Sequence, residues 1–261
     1  MARLLMCPPH HYNALGAWRQ WERFVEILQI AADVQIELVD PAPQAPDLVF
    51  TANAALITGD LAIVSTLRDD TQRLSRQVYR GTLARLGFAT TFLQETAFAG
   101  SADALFDRVR PIVYVGYGSL SDRMVTVQLN EMLDARIVAL ALADPAFTHL
   151  DSVLCPLGSG HVLAYMPAFT PQAQRLLRRV VDPEYLIEIS AADALDLACN
   201  AVELGDALIV HDASRALREQ LVDAGYRLFS TDLEGFVRGG AGAKRLTLRL
   251  DDGPAAAGAA A

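Results

Sequence analysis

Cysteine is scarce in this chain, with only Cys7, Cys155 and Cys199 among 261 residues. Three scattered thiols, with no Cys-x-x-Cys, cannot build a disulfide framework, and a reducing cytoplasm is the expected compartment. Long apolar runs are missing as well. No stretch approaches the roughly 18–20 uninterrupted apolar residues that a membrane helix needs. The opening Met1-Ala-Arg-Leu-Leu-Met-Cys-Pro-Pro9 lacks the basic head, apolar run and small-residue cleavage site of a secretory signal. Positive charge is in deficit, with 22 Lys and Arg against 31 Asp and Glu and a net charge of −9. With no basic cluster in the sequence, nucleic acid is excluded as an expected partner.

Metal and phosphate signatures are also thin. His10-His11 could begin a metal site, but no second histidine or cysteine pair lies at ligand spacing, so no metal is expected. Gly239-Gly240-Ala241-Gly242 lacks the Gly-Lys-Ser/Thr ending of a P-loop and runs toward a strand. Gly116-Tyr117-Gly118 is a lone Gly-x-Gly after a strand. No cofactor is expected.

Apolar residues, by contrast, are abundant, at 52% of the sequence with a mean hydropathy of +0.23. Such values suit sheets covered on both faces, whose strands read as near-continuous apolar runs. The chain repeats a unit of two strands, a helix and a third strand. Hairpins are expected over 47–66 (with strands at Leu48–Phe50, Ala55–Ile57 and Leu61–Val64), 103–116, 149–166 and 198–212. Turns fall at Gly59-Asp60, Gly158-Ser159-Gly160 and Gly205-Asp206. Helical spacing follows each hairpin, over 72–86, 122–133, 171–180 and 214–224, and each helix leads to a further strand.

A fifth unit draws on both ends of the chain. The run Arg245–Leu250 is expected to pair with Arg3–Met6, and the helix 17–31 and strand 34–39 complete it. A period of about 45–55 residues belongs to propeller-like arrays. The expected fold is therefore a five-bladed α/β propeller over residues 1–250, its last blade closed by both termini. The Ala- and Gly-rich tail 251–261 is expected to be disordered.

Two segments could carry chemistry. His149-Leu150-Asp151 opens an expected strand, whose period of two would put His149 and Asp151 on one face as an acid–base pair. Pro46-Asp47-Leu-Val-Phe50-Thr-Ala-Asn53 places polar groups at both ends of an apolar run. Strand-end capping accounts for either segment taken alone.

In order, the segments Leu5-Met-Cys-Pro-Pro9, Asp47–Asn53, Phe98-Ala-Gly-Ser-Ala-Asp103, Gly116-Tyr-Gly118, His149-Leu-Asp151, Asn200-Ala-Val202 and Gly239–Leu248 resemble the amidinotransferase (pentein) superfamily. The branch is that of dimethylarginine dimethylaminohydrolase. The resemblance implies a propeller of the pentein kind that modifies guanidine groups. It implies His149 as acid and base, and Asp103, Asp151 and Asn53, with Asp47 and Phe50, as substrate binders. It also implies a nucleophilic cysteine just before Leu246-Thr247-Leu248, where this chain has Arg245. Ala99 stands where the family has an acid, and Leu120 where it has an arginine.

A protonated guanidinium cannot serve as a nucleophile. The expectation drawn from these departures is a non-catalytic family member that acts on a small-molecule ligand or a partner protein, with a homo-oligomer allowed. The alternative is an active hydrolase or amidinotransferase that uses His149 and Asp151 with unusual chemistry. For Arg245, electrostatics suggests a plug, its guanidinium paired with Asp103 or Asp151 where a substrate's would lie.

Overall fold

Short apolar strands bounded by Gly-Asp turns cannot bury both faces alone, so each must find a sheet and a covering helix. The computed structural model, which describes residues 1–67 and 72–255, meets this demand five times. Strand β1 (Ala2–Met6) leads through helix α1 (Ala17–Ala31) to β2 (Val34–Leu38). The hairpin β3 (Ala55–Thr58) and β4 (Leu61–Val64) is followed by α2 (Gln72–Arg85) and β5 (Ala89–Phe92). Next come β6 (Ala104–Phe106), β7 (Ile112–Tyr117), α3 (Val125–Met132) and β8 (Arg136–Ala141). The fourth unit is β9 (Leu154–Pro156), β10 (Val162–Ala164), α4 (Pro171–Val180) and β11 (Leu186–Glu188). After the short α5 (Ala191–Leu195) follow β12 (Val202–Leu204), β13 (Ala207–Val210), α6 (Arg215–Asp223) and β14 (Arg227–Ser230). Helix α7 (Glu234–Val237) precedes the final β15 (Leu248–Arg249).

These strands form five three-stranded sheets: β3-β4-β5, β6-β7-β8, β9-β10-β11, β12-β13-β14 and β15-β1-β2. In each, the first strand pairs antiparallel with the second and the third lies parallel to it. The parallel step needs a crossover, which the helix supplies. Thr170 and Ser214 start two of those helices by accepting from Ala173 N and Leu217 N. Helix α1 turns Trp21, Phe24, Ile27 and Leu28 inward, onto Leu4 and Phe236. Full burial of such a side chain contributes roughly 1.5–3 kcal/mol. The fold is the five-bladed α/β propeller, with β1 of the closing blade held between β2 and β15.

Three expected strand segments are tight turns instead. Residues 46–49, 150–152 and 244–246 are one-turn 3-10 helices, so Leu48–Phe50 is not a strand and β15 pairs only through Leu4↔Arg249 and Leu5↔Leu248. The tail is also tied down at its start. Arg3 N donates to Asp251 Oδ1 at 3.0 Å and Gly59 N to Asp252 O at 3.3 Å. This corrects the expectation of disorder from Asp251 onward; residues 256–261 lie outside those described. Among the described residues no helix is long and apolar enough to cross a membrane.

Candidate active site

Four inner strands are entered through polar turns that gather round the propeller axis, and a fifth through Asn200. The turn 51–53, carrying Asn53, packs against 100–102 and 244–246, and 100–102 against 150–152. Asp103 follows the second of these turns, Asp151 lies in the 150–152 turn, and Arg245 lies in the 244–246 turn. Close approach is built into the sequence. Gly100 has φ +65°, and a Cβ there would lie 2.8 Å from Ser65 Oγ and 3.0 Å from the Ala55 backbone. Only glycine fits.

Two buried clusters result. In the first, His149 Nδ1 lies 3.2 Å from Asp103 Oδ1, which also accepts from Leu150 N at 2.9 Å. Asp103 Oδ2 accepts from Ser121 Oγ at 2.6 Å, and Ser121 in turn accepts from Ala99 N at 3.1 Å. Both carboxylate oxygens are thus committed, and the imidazole is held from one side. His149 is 5% exposed and Asp103 1%.

In the second cluster, Arg245 clasps Asp151 through two parallel bonds, Nη2 to Oδ1 and Nε to Oδ2, the latter at 3.1 Å. Arg245 Nη2 also reaches Ser152 Oγ at 3.3 Å. Lys244 Nζ approaches Asp151 Oδ2 at 3.4 Å and donates to Ser101 O at 2.6 Å. Asn200 locks the arrangement: its Oδ1 accepts from Arg245 N at 2.8 Å and its Nδ2 donates to Asp151 O at 3.1 Å.

Burial alone would push the Asp151 carboxyl up. The guanidinium of Arg245, with help from Lys244, holds it below the ordinary carboxylate range. Burial pulls the Lys244 ammonium down despite Asp151.

The placement departs from the expected face-sharing pair. A 3-10 turn has three residues per revolution, so His149 and Asp151 diverge, one toward Asp103 and the other toward Arg245. Arg245 therefore meets Asp151 and not Asp103. Asp47 accepts from Ser75 Oγ at 2.9 Å, and Phe50 stacks edge-on to Tyr12 with ring centroids 5.3 Å apart. Among the described residues no side-chain hydrogen bond joins either of them to the two clusters. Among the described residues Asn53 Oδ1 is buried with no hydrogen-bond partner. Ala99 is buried against Ala52, Leu67 and Ala102, whereas Leu120 is 41% exposed.

Sequence reasoning gave no role to Ser121, Ser152, Asn200 or Lys244. For Lys244 a signal existed: it is the only lysine in the chain. Burial drives the Cys7 and Cys155 thiols up to about 12 and Cys199 well above its ordinary value, so none is a ready thiolate.

The family model for eukaryotic N,N-dimethylarginine dimethylhydrolase matches residues 10–245. The chain belongs to this family. Among its relatives, the bifunctional arginine dihydrolase/ornithine cyclodeaminase ArgZ of Synechocystis sp. is 35% identical over 96% of this chain and 38% of ArgZ. The N(G),N(G)-dimethylarginine dimethylaminohydrolase of Mycobacterium tuberculosis is 29% identical over 90% of this chain and 76% of that protein. The dimethylhydrolase-family chain thus spans 38% of the length of ArgZ and of its Nostoc sp. counterpart AgrE. The N-terminal domain of ArgZ, a cysteine-to-serine variant bound to substrate, superposes with a TM-score of 0.92 at 34% identity. That match covers 97% of this chain and 99% of the other. The same domain bound to product matches with a TM-score of 0.93 at 34% identity, over 98% and 99% of the two chains.

These relatives overturn the expectation of a non-catalytic member that Arg245 and Ala99 suggested. ArgZ, whose N-terminal domain matches this chain almost end to end, is an arginine dihydrolase, and that domain has been solved with substrate, with product and covalently bound to a reaction intermediate. Departures at Arg245, Ala99 and Leu120 thus sit in a scaffold that otherwise follows the ArgZ domain along 97% of this chain.

Proposed function

We propose that this chain hydrolyses a C–N bond of arginine-type guanidino compounds, with water activated by His149 in place of the family's thiol. The observation that carries this reading is the juxtaposition of a buried Asp103–His149 couple with Asp151, a carboxylate that already grips a guanidinium. Asp103 holds Nδ1 of His149, which sets the tautomer and leaves Nε2 to take a proton from water. The water oxygen attacks the guanidino carbon. The C–N bond breaks as His149 returns the proton to the leaving amine, giving a ureido product and an amine or ammonia. Asp151 holds the cationic nitrogens, and the unpartnered Oδ1 of Asn53 accepts one substrate N–H.

Arg245 occupies Asp151 until substrate arrives, so binding exchanges one guanidinium for another. The exchange keeps the buried Asp151 carboxylate paired, and Arg245 must turn out toward water as it leaves, because a guanidinium left buried and unpaired would cost about 3–5 kcal/mol. The active unit is residues 1–250, its partner a small molecule. A cytoplasmic location is favoured by three unpaired, buried thiols.

The test is release of ammonia or methylamines, with the matching ureido product, from L-arginine and dimethylarginine. His149→Ala is expected to lower the rate by about 100-fold or more. Absence of turnover in the native chain, or full turnover in His149→Ala, would overturn the reading.

A further inference from the structure

A cavity lies on the propeller axis among the inner strands, with neither His149 nor Arg245 in its lining. It measures about 50 Å³ and is walled by the inner strands β6, β9, β12 and β15. Leu105, Phe106, Leu154 and Val202 make its floor apolar. Three cations nevertheless reach it: Arg108, Lys244 and Arg249. A wider vestibule of about 300 Å³ adjoins it, sharing Arg108 and Arg249. Cations over an apolar floor act through a weaker dielectric than in water and so favour an anion.

The nearby carboxylates divide into two kinds. Glu203 is committed to the framework, accepting from Gly158 N at 2.7 Å and from Tyr226 OH. Asp251 and Asp252 belong to the tail that follows β15. Asp252 reaches into the cavity and pairs with Arg108 Nη1 at 2.5 Å, and Asp251 lies 3.4 Å from Arg249 Nε. Apart from these two ion pairs, the start of the tail is held by Gly59 N at 3.3 Å and Arg3 N at 3.0 Å. Take the tail away and Arg108 and Arg249 lose these carboxylates, while Lys244 keeps Asp151.

We infer that the axial cavity is a binding site for a small ligand bearing a carboxylate or phosphate, with the Asp252 side chain as its built-in occupant. The guanidinium of Arg108 is the main anchor, Arg249 the second, and Lys244 the link toward Asp151. An incoming anion competes with Asp252 and displaces the tail. The ligand is of opposite charge to a guanidino substrate and enters a different cavity, so the inference stands independently of the hydrolase reading.

Calorimetric titration with inorganic phosphate and, separately, malonate tests it on the full chain. Asp252→Asn removes the competing charge and is expected to tighten binding at least about tenfold over the native chain. Arg108→Gln in that background is expected to abolish it. Phosphate alone binding would mark a phosphoryl ligand, and malonate alone a carboxylate ligand; either supports the site. If Arg108→Gln fails to fold, Arg249→Gln takes its place, with a weakened affinity expected. A folded Asp252→Asn variant that binds neither anion, or binding indifferent to both arginine variants, would sink the proposal.

Discussion

Asp151 and Arg245, 94 positions apart in the chain, close a two-bonded carboxylate–guanidinium pair that is almost wholly shielded from water. The family site to which this chain is similar handles guanidines, and here it holds one of its own. In the function proposed above, Arg245 is a resident competitor. Its backbone is pinned by Asn200, and a Cβ on Gly242 would lie 2.9 Å from Asn200 Cβ, so the turn that carries it is closely fitted.

Arg245→Ala should vacate the guanidinium position and leave Asp151 with Lys244 alone. The variant is expected to lose about 3–5 kcal/mol of stability relative to the native chain from the broken pair. Methylguanidinium should restore part of the loss, raising the melting temperature of the variant but not of the native chain. Equal responses from both would show that Arg245 does not fill a guanidinium site.

Asp103→Asn tests the imidazole's tautomer. An amide nitrogen facing Nδ1 would donate where the carboxylate accepts, turning the proton to the wrong ring nitrogen. The proposed turnover should fall by about 100-fold or more. Ser121→Ala, which removes only one donor to Asp103, is expected to cost far less. Comparable losses from both variants would indicate a merely structural cluster.

Cys7, Cys155 and Cys199 should be dispensable for turnover. Each is buried, with its thiol driven away from the reactive form. A chain with all three changed to Ala is expected to keep its kcat within about twofold, since none belongs to the reacting unit. A substrate-derived adduct on any of them, found by peptide mapping, would contradict this. Arg245→Cys is the informative contrast, because it puts a thiol beside Asp151 and should acquire the covalent adduct that the native chain lacks.

Acid should weaken the fold through Asp151. Its carboxyl is held below the ordinary value in the folded chain, so on acidification the unfolded chain takes up that proton first. The stabilisation is complete above the unfolded value of about 3.9 and disappears as the pH drops through the lower folded value. Urea unfolding followed from pH 5 to pH 3, on the order of the range named by the linkage relation, should show falling stability. Asp151→Asn should flatten that slope; an unchanged slope would assign the effect to other carboxylates.

Much of the propeller was legible because its strands and helices carry strong local patterns. Gly59-Asp60 and Gly205-Asp206 sit between apolar runs, and helix 171–180 was located by its spacing. The site was less legible because it is made of 3-10 turns, and three-residue turns leave no period in a sequence. Leu150-Asp151-Ser152 looks like a strand entry until its neighbours are known, so His149 and Asp151 were assigned to one face that they do not share. Asp103 was legible as a site residue. Its commitment to His149, Leu150 and Ser121 depends on contacts 18 to 47 positions distant, which no local window contains.

The clasp of β1 between β2 and β15 also dictates an order of events during synthesis. The first strand leaves the ribosome with its inner neighbour still almost the whole chain away, and the ring stays open until Leu248 emerges. Arg245 emerges just three residues earlier, 94 positions after Asp151. Through that interval the Asp151 carboxylate lacks the guanidinium that pairs with it in the folded chain. The residues that latch the ring and the residue that neutralises its centre therefore arrive together, so a nascent chain stalled before Arg245 would be both unlatched and charged at its core.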